Sequence, residues 1–175
     1  MKTKGVYVGR FNPLHVGHES VIREMQRICG AENSILVIGS SNNAFSLRHF
    51  FTYEERRSFI FSVFPQARLV GLPDYYSDRA WLTALDDLLL LAGVDPRRAL
   101  YFGGSEEDVR FFLEDSRKCH IVQRFEGRYC DVSATRVRDC LIHERSEELK
   151  QLLIPGSAAL IESNFSRKWE EFKKL

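Results

Sequence analysis

Residues Gly9-Arg10-Phe11-Asn12-Pro13-Leu14-His15-Val16-Gly17-His18 combine the side chains and the spacing needed to grip a phosphate group. Gly9 and Arg10 end a β-rich run, Pro13 restricts the turn, and Gly17 stands where helical spacing begins. The free N–H groups of that helix start would face a bound anion. His15 and His18, three residues apart, sit near one first helical turn, where two imidazoles converge on a single oxyanion. Arg10 adds a permanent charge. Transfer at phosphorus needs positioning and charge stabilisation more than a covalent intermediate, and this set supplies both. Taken alone, His18 has a second reading, core packing one turn before Val21 and Ile22.

A second helix start offers a complementary set. In Ser133-Ala134-Thr135-Arg136-Val137-Arg138, Ser133 is an N-cap, and Arg138 falls on the same face as Thr135. Val137 and Leu141 face inward, so Arg138 does not compete for the core stripe. Without the first segment this would read as an ordinary capped helix with solvated arginines. Tyr101-Phe102-Gly103-Gly104-Ser105 ends a strand on a glycine pair, which sterically permits close approach by a nucleotide.

The elements that must carry these residues alternate in period. Short β-rich runs are expected at Gly5–Gly9, Ser34–Gly39, Arg68–Gly71, Ala99–Phe102 and Lys118–Gln123, with helices between them. The first helix would bury Val21, Ile22, Met25, Ile28 and Cys29. Thr52-Tyr53-Glu54-Glu55 is a capping box for a helix burying Phe59, Ile60, Val63 and Phe64 and stopped by Pro65. Asp78 is expected to cap a helix burying Leu85, Leu88, Leu89 and Ala92 and ending at Gly93. Ser105-Glu106-Glu107-Asp108 opens another, with Val109, Phe112 and Leu113 inward. Beyond Pro155 the pattern is helical, with Ser163 or Asn164 as a cap before Trp169 and Phe172. The fold class is α/β, a Rossmann-like, doubly wound, mostly parallel sheet with helices on both faces. A single domain is expected over 1–175, with an α/β core over about 1–150 and a C-terminal helical segment over about 151–175.

Composition narrows the function classes. The chain has 175 residues, 44% hydrophobic and 28% charged, and its 25 Lys and Arg nearly cancel its 24 Asp and Glu. No overall field therefore selects nucleic acid or a membrane surface as partner. No apolar run of spanning length occurs, and the N-terminus leads straight into a strand rather than a signal peptide, so a cytoplasmic protein is expected. Cys29, Cys119, Cys130 and Cys140 show neither C-x-x-C pairing nor metal-site spacing and read as reduced thiols.

The first segment resembles the G-R-F-x-P-x-H-x-G-H signature of the HxGH nucleotidyltransferase superfamily. Its form is that of archaeal-type nicotinamide mononucleotide adenylyltransferases and of the adenylyltransferase domain in bifunctional NMN adenylyltransferase/Nudix proteins. The second segment resembles the superfamily's S-x-T-x-x-R motif and, as there, follows the last strand. The resemblance implies that His15, His18 and Arg138 are catalytic. It implies an ATP site from Gly9, Arg10, Phe11, Asn12, Gly17, Gly103, Ser133, Thr135 and Arg136, of which Arg136 falls at a variable position. Ile38–Ser41 and Leu47–Arg56 resemble the archaeal-type strand, Arg-bearing loop and F-T-x-x-E-R helix start, which assigns Arg48 to the mononucleotide phosphate; a solvated loop arginine is its other reading. Trp81 matches a tryptophan that stacks on the nicotinamide ring, although it also shares a helical face with Leu85, Leu88 and Ala92. Asp78, expected on the mononucleotide side, stands where archaeal-type members usually carry Asn, so carboxamide recognition stays open.

The implied reaction is in-line attack by the 5′-phosphate of nicotinamide mononucleotide on the α-phosphorus of ATP, giving NAD and pyrophosphate. Mg2+ is expected with ATP, held by phosphates and water rather than by direct protein ligands. The resembling families are commonly homo-oligomers, which leaves self-association open. Within the superfamily, the rival acceptors are nicotinic acid mononucleotide, pantetheine phosphate and other phosphorylated acceptors. From another class, a non-catalytic NAD or ATP sensor is the rival, opposed by intact His15, His18 and Arg138. No K-M-S-K-S-like segment of a class I aminoacyl-tRNA synthetase and no Nudix box is present.

Overall fold

The computed structural model describes residues 3–44, 46–123 and 131–174. Its strands are β1 (Gly5–Gly9), β2 (Ser34–Ile38), β3 (Arg68–Gly71), β4 (Leu100–Gly103) and β5 (Lys118–Ile121). They form one all-parallel sheet of order β3-β2-β1-β4-β5. Successive strand residues point to opposite faces, and both faces are apolar. Tyr7, Leu36, Ile38 and Phe102 enter one core, while Val6, Ile35, Val37 and Tyr101 enter the other.

The helices are α1 (Val16–Cys29), α2 (Tyr53–Val63), α3 (Asp78–Leu91), α4 (Glu106–Glu114), α5 (Ala134–Ile142), α6 (Ser146–Leu152) and α7 (Pro155–Phe172). Val21, Ile22 and Met25 of α1 join Phe59 and Ile60 of α2, Val137 of α5 and Phe165 of α7 on the Tyr7 face. Leu85 and Leu89 of α3 and Val109 and Phe112 of α4 cover the Val6 face. The chain therefore has the expected Rossmann-like, doubly wound α/β fold. Strand order reverses between β1 and β4, where loops leave the sheet in opposite directions and open a crevice at the carboxyl ends of the strands.

Local differences from the sequence expectations have specific causes. Ser77, not Asp78, caps α3: its hydroxyl accepts from the Ala80 N–H at 3.2 Å, leaving Asp78 as the first helical residue. The Ser105 box is half formed, because Asp108 accepts from the Gly104 N–H rather than from Ser105. Ile28 and Leu113 are exposed, whereas Val63, Leu88 and Ala92 are only partly buried. Helix α7 runs unbroken from Pro155 at its first position, so neither Ser163 nor Asn164 is a cap; Asn164 turns its amide back to the Leu160 carbonyl at 2.8 Å. The seven-residue α6 had no strong pattern to announce it. Strand β2 stops at Ile38, β4 runs from Leu100 to Gly103, and β5 stops at Ile121. Cys29, Cys119 and Cys140 are free thiols, and Cys130 lies outside the described residues.

Candidate active site

The turn after β1 is built around Phe11, whose backbone enters the left-handed region at φ 49° although the residue is not glycine. That bend carries its ring into the core, edge-on to Tyr7 at 5.4 Å and 4.8 Å from the His18 ring. Asn12 then fastens the turn to a distant segment. Its side-chain amide donates to the Phe51 carbonyl at 3.3 Å and accepts from the Phe51 N–H at 3.1 Å, imitating a strand pairing. The Asn12–Pro13 peptide is cis. His15 follows as the N-cap of α1, and its ring stacks on that of His18 at 3.7 Å. The His15 N–H donates to His18 Nδ1 at 3.3 Å, so the proton of neutral His18 resides on Nε2 and makes that atom a donor.

Helix α5 brings the second segment to the same place. Ser133 caps it by accepting from the Arg136 N–H at 3.1 Å. Arg138 donates to the Asn12 carbonyl at 2.6 Å and to Thr135 Oγ1 at 3.2 Å, joining two segments 126 residues apart in sequence. Between them lies an open cleft of about 750 Å³. Among the residues expected in the site, Gly9, Arg10, Phe11, Asn12, His15, His18, Arg48, Trp81, Ser133, Thr135 and Arg138 line it. Gly17, Asp78, Gly103 and Arg136 do not. Gly17 is buried in the first turn of α1, and exposed Asp78 opens α3. A Cβ at Gly103 would lie 2.6 Å from Val109 Cγ1, so the absent side chain there makes room for α4. Arg136 is turned to α6, pairing with Glu148 at 2.7 Å.

Arg10, Arg48 and Arg138 bring three positive charges to the cleft, which Asp74, Glu107 and Asp108 also line. Burial lowers the Arg10 pKa, and Arg48 lowers it further, while Asp74 opposes both. Burial likewise lowers that of Arg138, followed by Arg10 and Arg48. Three guanidiniums that repel one another across a concave surface form a ready site for an anion. His49 is held below its ordinary value by burial and by Arg10, which favours its neutral form.

Several cleft residues escaped the sequence reading. Asp74 follows Pro73 after β3, and its carboxylate accepts from Ser40 Oγ at 2.9 Å and from the Asn43 amide at 2.5 Å. Glu107, Asp108, Phe111 and Phe112 contribute the α4 side. The glycine pair at the carboxyl end of β4, followed by a cap, was the available hint. Trp81 packs against the α3 and α4 core, 6.3 Å from Phe112, and also lines the cleft. Beneath the floor, fully buried Arg56 donates to the carbonyls of Arg10, Gly39, Ser40 and Thr52 at 2.8–3.3 Å.

A nicotinamide-nucleotide adenylyltransferase of Thermococcus onnurineus is 27% identical over 167 residues, covering 91% of this chain and 81% of the relative. A bifunctional NMN adenylyltransferase/ADP ribose pyrophosphatase from Francisella tularensis superimposes with a TM-score of 0.67 at 21% identity, over 82% of this chain and 43% of that one. A structure of the bifunctional Francisella tularensis enzyme with AMP and a Mn ion gives a TM-score of 0.61 at 24% identity, over 82% and 42% of the two chains. The chain thus spans less than half of those bifunctional proteins, and the likeness to them is one of fold. The Cytidylyltransferase-like family model matches residues 6–140, from the second residue of β1 to near the end of α5, so this chain is a member of the cytidylyltransferase-like family.

Proposed function

We propose that this protein transfers the adenylyl group of ATP to nicotinamide mononucleotide, releasing pyrophosphate and forming NAD. The observation that carries the reading is the Arg138 bond to the Asn12 carbonyl, which closes the two phosphate-binding segments around one cleft. The acceptor's 5′-phosphate attacks the α-phosphorus in line, and pyrophosphate leaves from the opposite side, with no enzyme-bound intermediate. His18, with its Nε2–H as donor, and His15 stabilise charge growing on the reacting phosphate. Arg10, Arg138, Ser133 and Thr135 hold the departing pyrophosphate, while Arg48 and Trp81 hold the acceptor. Among the described residues, the carboxylates lining the cleft are Asp74, Glu107 and Asp108, and Asp74 and Asp108 already accept hydrogen bonds. A divalent ion, Mg2+ in this reading, would arrive with ATP, held by its phosphates and water, and would supply neutralisation of phosphate charge.

The names of the sequence relatives support the same reaction. We place the protein in the cytoplasm; among the described residues, no helix is long and apolar enough to cross a membrane. The deciding assay measures pyrophosphate release from ATP with nicotinamide mononucleotide, nicotinic acid mononucleotide or pantetheine phosphate in competition. Nicotinamide mononucleotide is expected to be used best. His18→Ala is expected to lose about 10²–10³-fold in kcat while keeping the parental melting behaviour. Absence of pyrophosphate release with every mononucleotide refutes the proposal.

A further inference from the structure

Arg48 reaches the cleft from a segment, residues 46–51, that belongs to no helix or strand. Such a segment needs fixing from outside, because a loop arginine loses side-chain and backbone entropy whenever it is held to a ligand. The fixing group comes from α7, beyond the residues matched by the family model. Lys168, buried on that helix, donates from Nζ to the Phe50 carbonyl at 2.8 Å and to Glu55 Oε2 at 2.7 Å. The ammonium also lies 5.5 Å from the centre of the Phe50 ring and 5.9 Å from that of Phe51. Phe50 is wedged against Phe165, Trp169 and Phe172 at 5.0, 6.3 and 6.1 Å between ring centres.

The contact continues into the catalytic turn. Phe51, the next residue, pairs both backbone groups with the Asn12 side chain, and the Asn12 carbonyl receives Arg138. Glu55 meanwhile accepts from the Thr52 N–H at 2.8 Å, closing the capping box that starts α2. Lys168 thus touches the segment on both sides of Phe51. A buried carbonyl and a half-buried carboxylate held by one ammonium exchange it poorly for bulk water, so the bonds favour one geometry for the chain.

We propose that Lys168 is a positioning residue for the acceptor side of the site, fixing the Phe50 carbonyl so that Arg48 is presented to the cleft and Phe51 stays paired with Asn12. The inference rests on the acceptor role given to Arg48. A helix that merely completed the core would act on the folded fraction alone, lowering apparent kcat without changing either KM. A positioning role acts on the acceptor.

Lys168→Met keeps most of the apolar stem and removes the ammonium. It is expected to raise KM for nicotinamide mononucleotide about tenfold while leaving KM for ATP within about twofold of the parent, as loss of an acceptor-binding interaction requires. In an Arg48→Ala background the same change is expected to move the acceptor KM by less than about twofold, because the two residues act on one contact. Amide hydrogen exchange should accelerate over residues 46–52 and remain parental in β1 and α4. Arg167→Ala, which removes exposed contacts to the same Glu55 and to Asn164, is expected to leave both readouts unchanged. A fall in kcat with both KM values parental, additive effects with Arg48→Ala, or exchange that rises throughout the molecule overturns the proposal. So does unchanged exchange over 46–52. If the parent protein fails to use any mononucleotide, the functional reading falls, while the exchange measurement still decides what Lys168 holds.

Discussion

Replacing Arg56 by Met is the most direct test of what supports the cleft. The side chain is fully buried, and its five-donor fork is spent on four backbone carbonyls: Arg10 at 2.9 Å, Gly39 at 2.8 Å, Ser40 at 2.9 Å and Thr52 at 3.3 Å. Three of these belong to the chain leaving β1 and β2, where the sheet opens into the site. At the lower figure of ~1.5 kcal/mol for each bond from a charged donor, the four contribute ~6 kcal/mol. Burial opposes this: the guanidinium pKa is pushed down to about 10, with Asp74 and Tyr53 pulling the other way. A depression from 12.5 to about 10 corresponds to ~3 kcal/mol, which removal of the charge restores. The net loss is ~3 kcal/mol, or a fall in melting temperature of about 6–12 °C for a chain of this length. Thermal unfolding followed by far-UV circular dichroism at neutral pH measures it. Arg56→Lys, which keeps the charge but loses the planar fork, should fall between parent and Met variant. An Arg56→Met melting point within about 2 °C of the parent, less than ~1 kcal/mol, would show that the carbonyls are satisfied without the fork and refute the reasoning.

Other substitutions separate ligand binding from folding. Arg10→Gln relieves the repulsion among Arg10, Arg48 and Arg138, so the ligand-free melting temperature should stay level or rise, while kcat/KM for ATP falls about 100-fold; a parallel loss of stability would count against an anion role. Gly39→Ala places a Cβ 3.9 Å from the Gly9 carbonyl and 4.0 Å from Arg10 Cγ, so folding should be unaffected, whereas isothermal titration should show weaker nucleotide binding at the narrowed cleft wall. Gly103→Ala forces a Cβ to 2.6 Å from Val109 Cγ1 and 2.9 Å from Asp108 Cβ, costing about 1–3 kcal/mol in chemical denaturation; an unchanged midpoint would show that α4 can move away.

Features governed by near neighbours were legible in the sequence. The Thr52–Glu55 box and the Ser133 cap form as read, because both partners of each bond lie within one turn. The strands were recognised to within a residue or two by their β-rich apolar runs, and Gly9–His18 was recognised because the whole turn is contiguous. What failed to show was long-range pairing. Arg56 looked like part of a helix start, yet its nearest acceptor belongs to Gly39, 17 residues away. Nothing in the sequence near Lys168 marks it, because its acceptors lie 118 and 113 residues upstream. Asp78 resembled a cap, but Ser77 before it reached the free N–H first. Trp81 could not be assigned by periodicity, since the residue packs against the core and also borders the cleft.

The Arg138–Asn12 bond also has a consequence in time. Its ends lie 126 residues apart, whereas β1 and β2 pair across a much shorter stretch that α1 spans. Loop-closure entropy makes the local half of the sheet the easier part to assemble, and the distant pairing follows. During refolding, β1 and β2 can thus be protected from exchange before any anion site exists. Recovery of pyrophosphate affinity should lag behind recovery of the far-UV signal. On that account the nucleotide stabilises only the molecule in which both segments have met, and its binding reports that α5 has docked.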